Sequence, residues 1–344
     1  MKAMVLTGLN RLQLVEKPDP EISSPDEVLI RMKSVGICGS DIHYYQEGKI
    51  GSQVVQYPFT VGHEGAGIIE KIGNNVTRVK PGDHVAIDPA MPCFSCDQCM
   101  VGRFHTCRHL KFLGCPGQAA GCLSEFLIMP ATSCFVLPGN MTLDQGALSE
   151  PLAIGVYATR LYGSLQSKTI GILGSGPIGI SVLLPALAGG AKKVYMTDKI
   201  DARLALAQKM GAHWTGNPDK DDVVGDILKT EPLQLDVVFE CCGKQEAADQ
   251  AIQLLKPGGR LMVIGIPSFN QWSFDVDSLR RKEIDIQSVR RQNESVELTL
   301  NMIADGRIQP DAMQTHTFDF DQIGTAFEMV AGYKDGVMKA MINF

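Results

Sequence analysis

No apolar run in the 344-residue chain approaches the roughly 18 residues that a membrane-spanning helix requires, so no such helix is expected. The N-terminal stretch MKAMVLTGLNRLQLVEKPDP alternates apolar and polar residues and lacks the long apolar centre of a signal peptide, which points to a soluble, cytoplasmic protein. Basic blocks are also missing. With a net charge of -6 and few aromatics interleaved with Lys or Arg, the chain lacks the footprint of a nucleic-acid binder, and a small-molecule partner is expected. What remains is 44% hydrophobic and 20% charged over a length beyond the usual single domain, enough to bury two cores.

Cysteine is not scarce. In a cytosolic chain thiols stay reduced, so the ten cysteines do not read as a disulfide framework, and closely spaced ones point to metal. The segment CFSCDQCMVGRFHTC places Cys93, Cys96, Cys99 and Cys107 at C-x2-C-x2-C-x7-C, a set that can close a tetrahedral thiolate shell around Zn2+ with no open position. A redox pair at Cys96 and Cys99 would be expected to begin a helix after a strand, whereas MPCFSCDQCMVGR, with Pro before and Gly after, reads as an irregular lobe. A sealed zinc site stabilises a loop and does no chemistry, so function lies elsewhere.

The apolar run TIGILG opens into Gly174-Ser-Gly176-Pro177-Ile178-Gly179 and then into ISVLLPALAGG, of helix length. A second strand, KVYMTD, ends in Asp198, 24 residues after Gly174. Strand, glycine turn, helix and distal acid form the dinucleotide fingerprint. Its glycines allow the tight turn, the approach of a pyrophosphate to the helix N-terminus and close helix–strand packing, while the acid holds ribose hydroxyls. DARLALAQKMGA, LDVVFECCG, QEAADQAIQLLKPGG and RLMVIGI continue the alternation of helix and strand expected of a doubly wound parallel sheet. The third of these reads as a helix stopped by Pro and Gly, and Pro185 should kink the fingerprint helix or loosen one turn.

The N-terminal segment is β-rich, with EVLIRMKSVGI, GAGIIEKIG and HVAIDPA as short strands. It also holds Cys38, His63 and Glu64, and Glu150 follows in ALSEPLAIGVYATR. Taken singly, each has a bland reading as a buried thiol, a turn histidine or a capping carboxylate.

Together, GICGSDIHYYQEGKIG, GHEGAG, the four-cysteine lobe, SEPLAIG and GSGPIG resemble the zinc-dependent medium-chain dehydrogenase/reductase family, in particular its sorbitol, xylitol and L-idonate dehydrogenase branch, over essentially the whole chain. The resemblance implies an α/β protein with a GroES-like β-rich catalytic domain at 1–155 and 291–344, split around a Rossmann domain at 156–290, with the active site in the cleft between them. It makes Cys38 and His63 ligands of a catalytic zinc, with Glu64 and Glu150 as acidic partners that bind one at a time, Glu150 standing where the Cys2His arrangement of alcohol dehydrogenase has its second cysteine. A second, structural zinc goes to the four-cysteine lobe. NAD is the implied cofactor, held by the glycine turn with Pro177 and Ile178, by Asp198 and Arg203, and by Ile264, Ile266 and Val289.

The implied reaction is oxidation of a secondary hydroxyl of a polyol to the ketose, zinc acidifying the alcohol and the nicotinamide taking the hydride. Ser40 and His43 resemble the family's proton relay, and Tyr44, Phe112, Glu150 and Arg291 its substrate contacts. The usual neighbours of that arginine are aromatic, whereas this chain reads SVRRQNES. Two guanidiniums there would favour a carboxylate or phosphate, so a sugar acid is the alternative substrate, ahead of an L-threonine or butanediol type. A zinc-free quinone or enoyl reductase and a nucleotide-binding sensor on the same scaffold are the other classes weighed, and metal analysis and a polyol assay separate them. A homodimer or homotetramer is expected.

Overall fold

In the computed structural model, which describes all 344 residues, the chain divides into two units. One comprises Met1–Glu150, Val296–Gly306 and Gln314–Phe344, and the other Pro151–Ser295 with Arg307–Met313. The sequence-based boundaries at 155/156 and 290/291 fall about five residues from these, and the division lies inside the helix Leu143–Tyr162. No helix is long and apolar enough to cross a membrane.

The first unit is built on a seven-stranded sheet. Its order is Cys134–Val136, His84–Ile87, Glu64–Ile72, Glu27–Gly36, Lys339–Asn343 and Gln314–Asp319, with Phe126–Pro130 also paired to Glu27–Gly36. The strand Glu27–Gly36 is buried along most of its length because three partners divide it. Glu64–Ile72 runs along its whole length, Phe126–Pro130 takes residues 27–31, and the C-terminal strand takes Ser34, Val35 and Gly36. The last pairing sets Met341 opposite Gly36, which is itself opposite Glu64, so the chain's end is delivered to the strand that carries Glu64. Ile30, Met32, Val35, Ile69, Leu123, Phe327 and Ile342 lie in the core around this sheet.

The second unit carries a six-stranded parallel sheet in the order Trp214–Gly216, Lys193–Thr197, Thr169–Leu173, Leu235–Glu240, Leu255–Val263 and Asp285–Ser288. Numbered along the chain this is 3-2-1-4-5-6, the dinucleotide-binding order, whose switch point lies outside the carboxyl ends of the first and fourth strands. The four runs read as strands from the sequence form the centre of the sheet, the edge strands Trp214–Gly216 and Asp285–Ser288 are not among them, and the start of one central strand differs. The helix Gln245–Leu254 stops before Lys-Pro-Gly-Gly, and those residues open the next strand. Leu255 has already turned to extended backbone (φ -71°, ψ 136°), and Pro257 disfavours the helical conformation of the next residue, Lys256, so the helix does not run on.

Pro185 is accommodated inside the helix Pro177–Ala188. It removes the N–H that would bond the Ser181 carbonyl four residues back. Gly155 of the preceding helix lies against that carbonyl so closely that a Cβ there would overlap it, so the unpaired acceptor is covered by backbone.

Candidate active site

Cys38 lies two residues beyond the end of the strand Glu27–Gly36 and serves as N-cap of the helix Gly39–Glu47, with extended backbone at φ -91°, ψ 154°. His63 and Glu64 come from the start of the next strand, where Gly62 adopts φ +97° and Glu64 pairs with Gly36. The Cys38, His63 and Glu64 ligand atoms lie within 4.8 Å of one another, with His63 and Glu64 buried. One thiolate, one imidazole and one carboxylate at that separation suit Zn2+ with a position left for substrate.

Two residues not anticipated from the sequence complete the geometry. Asp41, fully buried, accepts the Cys38 N–H at 3.0 Å and the Gly62 N–H at 3.0 Å, and its Oδ1 lies 3.6 Å from His63 Nδ1. It therefore fixes the backbone of Cys38 and of the residue before His63 and orients the imidazole, leaving Nε2 for a metal. Lys339, 1% exposed, donates to both Glu64 oxygens at 2.8 and 2.7 Å and to the Ile37 carbonyl at 3.1 Å. A side chain on Gly36 would overlap Glu64 Oε2, so only glycine permits this carboxylate position. A thiolate and a carboxylate would already neutralise Zn2+. The lysine cation draws charge from Glu64 and preserves the metal's electron-withdrawing power. In the metal-free protein burial acts to lower the His63 pKa, but the Cys38 and Asp41 charges prevail and hold it well above the usual value. A metal must displace that proton.

Glu150 does not join this three-atom group. It is buried on the helix Leu143–Tyr162, and its carboxyl is pushed up to about 7, first by burial and then by Glu64 and Asp88, against the opposing charges of His63 and Lys339. That helix is anchored at its first turn, where Asp144 accepts Ser34 Oγ at 2.6 Å and Gln314 Nε2 at 2.8 Å. Phe112 packs on the His63 ring at 5.6 Å between centroids. On the helix Gly39–Glu47, Ser40 and His43 are three residues apart and so share a face, with the His43 ring partly exposed and 3.1 Å from Glu47 Oε1. Tyr44 is buried nearby and bonds Gln53.

In the four-cysteine lobe the Sγ–Sγ separations are 3.6 Å for Cys96–Cys99, 3.9 Å for Cys96–Cys107 and 3.5 Å for Cys93–Cys107. A tetrahedron with Zn–S bonds of 2.3 Å has edges of roughly 3.8 Å, so the thiols are already spaced for the ion. Hydrogen bonds from Ser95 bring the Cys93 thiol down to about 5, while burial and the neighbouring thiols push Cys99 up to about 12. Four thiolates so close cannot all ionise without a cation. The lobe is less irregular than its sequence suggests, since Cys96 caps a one-turn helix, Asp97–Met100.

In the second unit, Gly174 (φ +103°) turns the chain out of the strand Thr169–Leu173 and packs against Cys241 and Cys242, at the switch point. Gly179 lies against the Gly174 carbonyl, and a Cβ on Gly176 would come 3.2 Å from Arg203 Nη1. Pro177 opens the helix, and Asp198 accepts N–H bonds from Ser175 at 2.8 Å and Ile200 at 2.9 Å. This cradle fits a dinucleotide, with first-turn N–H groups for phosphate and Asp198 lone pairs for ribose. Ile264 donates to the Glu240 carbonyl, Val289 is buried, and Ile266 is exposed at the end of the same sheet. Arg291 adopts φ +52°; Arg290 is exposed, and Gln292 is buried and accepts the Ser295 N–H.

Residues 24–139 match the family described as alcohol dehydrogenase GroES-like domain, and residues 177–305 match zinc-binding dehydrogenase. The chain belongs to the zinc-dependent medium-chain dehydrogenase family. It is 33% identical to sorbitol dehydrogenase of Bacillus subtilis (strain 168), covering 99% of this chain and 97% of that protein. It is also 33% identical to L-idonate 5-dehydrogenase of Vitis vinifera, covering 98% and 93%. Among solved structures it resembles a short chain alcohol dehydrogenase from Escherichia coli CFT073 complexed with NADH, with a TM-score of 0.92 and 27% identity over 100% of this chain and 99% of that one. These relatives place the family member in the polyol branch.

Proposed function

We propose that this dehydrogenase oxidises a secondary hydroxyl of a five- or six-carbon polyol to the ketone, using NAD+. The observation that carries the reading is the Cys38, His63 and Glu64 group with its ligand atoms within 4.8 Å, backed by a buried carboxylate at Glu150. When bound, zinc at this group supplies Lewis acidity to the substrate hydroxyl and the nicotinamide supplies a hydride acceptor. Ser40 Oγ accepts the hydroxyl proton as it gives up its own, and His43, with its ring partly in water, carries that proton out. Glu150 and Tyr44 hydrogen-bond hydroxyls beside the reacting carbon, and the Phe112 ring excludes water. Asp198 prefers the free ribose hydroxyls of NAD+ and repels the 2'-phosphate of NADP+.

A sugar acid is the second reading, favoured by the exposed Arg290 beside Arg291 and by the L-idonate relative. Initial rates with sorbitol, xylitol, galactitol, aldonates and L-threonine, for the native chain and Arg290→Ala, separate the two. Activity confined to threonine or simple primary alcohols refutes the polyol reading, and an aldonate preference lost in the variant establishes the second.

The strand Asp285–Ser288 supports a homo-oligomer. It is the sheet's edge, all four of its residues are exposed, and an unprotected edge of this kind is suited to pairing with another copy. A reducing compartment such as the cytoplasm would keep the lobe thiols available to metal.

A further inference from the structure

Next to Asp198 the second unit builds a corner in which cations are matched by acids. Asn217, buried just beyond the edge strand Trp214–Gly216, donates from Nδ2 to the Lys199 carbonyl at 3.0 Å and to Asp201 Oδ1 at 2.8 Å, and its Oδ1 accepts the Asp219 N–H at 3.0 Å. It ties the turn 198–201 to the loop 217–221. The tie reaches the ribose acid, since Asp198 accepts the Ile200 N–H inside that turn and donates its own N–H to the Gly216 carbonyl at 3.3 Å. Both lysines of the corner are engaged. Lys199 Nζ lies 2.8 Å from Asp219 Oδ1, and Lys220 is paired with Asp201. The hydrogen bond and charge of Asp219 raise the Lys199 pKa, and two more distant groups act on the same ammonium: Glu246, in the first turn of the helix Gln245–Leu254, and Cys242, packed against Gly174. Lys199 therefore extends on the side of the switch-point crevice.

We infer that Asp219 is a positioning residue for cofactor choice: it holds the Lys199 ammonium in an ion pair and so withholds the cation that a 2'-phosphate would need beside Asp198. The inference deepens the NAD+ reading above and rests on it. Asp198 disfavours a 2'-phosphate by repulsion, but repulsion between charges in contact with water is modest, and an ammonium on the adjacent residue would offset part of it. Lysine binds phosphate as a point charge and has only to come within reach. With Asp219 in place, an incoming phosphate must instead break an existing pair and meet a second carboxylate. Asn217 grips the Asp219 backbone and not its carboxylate, so the pair can be removed while the turn stays tied.

The test measures dissociation constants of NADH and NADPH by fluorescence titration, so its outcome does not depend on the substrate. Native protein, Asp219→Asn, Lys199→Met and the Asp219→Asn/Lys199→Met double variant are compared, with the thermal midpoint checked for each. Asp219→Asn is expected to tighten NADPH at least threefold and to change NADH less than twofold. The gain should shrink as salt is raised from about 0.05 to about 0.5 M, because the released charge is exposed. It should be absent when Asp219→Asn is made in the Lys199→Met background, because Lys199 supplies it. Unchanged NADPH binding in folded Asp219→Asn protein overturns the inference. So does a gain that persists without Lys199, which would make Asp219 act on the phosphate directly. Both of these leave the NAD+ reading standing as long as the native chain binds NADH more tightly. Native protein that binds the two nucleotides equally overturns that reading and the inference with it.

Discussion

Replacing Lys339 with methionine would leave the Glu64 carboxylate buried with no cation to pair it. Breaking one side of such a pair is expected to destabilise the metal-free protein by about 3–5 kcal/mol, measured by denaturant unfolding after chelation. Equal stability of native and Lys339→Met protein would show that the pair contributes nothing. This lysine was invisible in the sequence because it is 275 residues from Glu64 and sits in an unremarked run, VMKAMINF. Asp41 was within reach, since an acid three residues after a candidate ligand and at the start of a helix is placed to bond that ligand's backbone. The ligands themselves were legible as CGSD and GHEGAG because the chemistry needs particular residue types at fixed positions. Their hydrogen-bonding partners need only be near, and nearness is decided by the sheet register.

At the scale of elements, the two central strands of the parallel sheet are tied at their starts by Asp236, which accepts the Thr169 N–H at 2.8 Å and an ion pair from Lys256, with Lys168 at 3.6 Å. Burial alone would raise its pKa, but the Lys256 ammonium, the Thr169 N–H and Lys168 outweigh burial and lower it. A carboxyl whose folded pKa lies below its unfolded value adds stability above the unfolded value of about 3.9, and the contribution disappears as the pH falls through the folded pKa. Asp236→Asn should therefore cost on the order of 1–3 kcal/mol at pH 7 and progressively less below about pH 4. A pH-independent difference would assign the effect to packing. The four central strands of this sheet were legible as apolar runs, whereas its short edge strands, Trp214–Gly216 and Asp285–Ser288, carry too few apolar residues to stand out. The opening of Leu255–Val263 was not legible either, because Lys-Pro-Gly-Gly is a helix-stop signal that here sits inside the following strand. The effect of Pro185 was foreseen as a kink or a loosened turn, and not the cover on the freed carbonyl, since the Gly155 backbone that supplies it comes from another helix.

For the whole molecule, two separate donor sets call for two zinc ions per chain, and elemental analysis of Cys99→Ser should find one fewer, with a lowered thermal midpoint. One zinc in the native protein would contradict the two-site account. The homo-oligomer proposed through the exposed edge Asp285–Ser288 predicts a mass that is a multiple of 37.3 kDa, and a charge at the centre of that edge, Ile286→Asp, should shift light-scattering mass towards the monomer. An unchanged mass would move the interface elsewhere. The division into two units and the nucleotide cradle were legible from length and from GSGPIG with its distal acid. The exact division was not, because it falls within a continuous helix that carries no breaker between Glu150 and Pro151 beyond the proline itself.

The measurement that bears most directly on the central claim is the initial rate of NAD+ reduction at mildly alkaline pH with xylitol or sorbitol, made on native protein, on protein stripped of metal, and on stripped protein returned to Zn2+. The account predicts turnover in the first, loss in the second, recovery in the third, and at least tenfold lower efficiency with NADP+, as the Asp198 carboxylate requires. Polyol oxidation that survives complete metal removal, or equal efficiency with the two nucleotides, would contradict it.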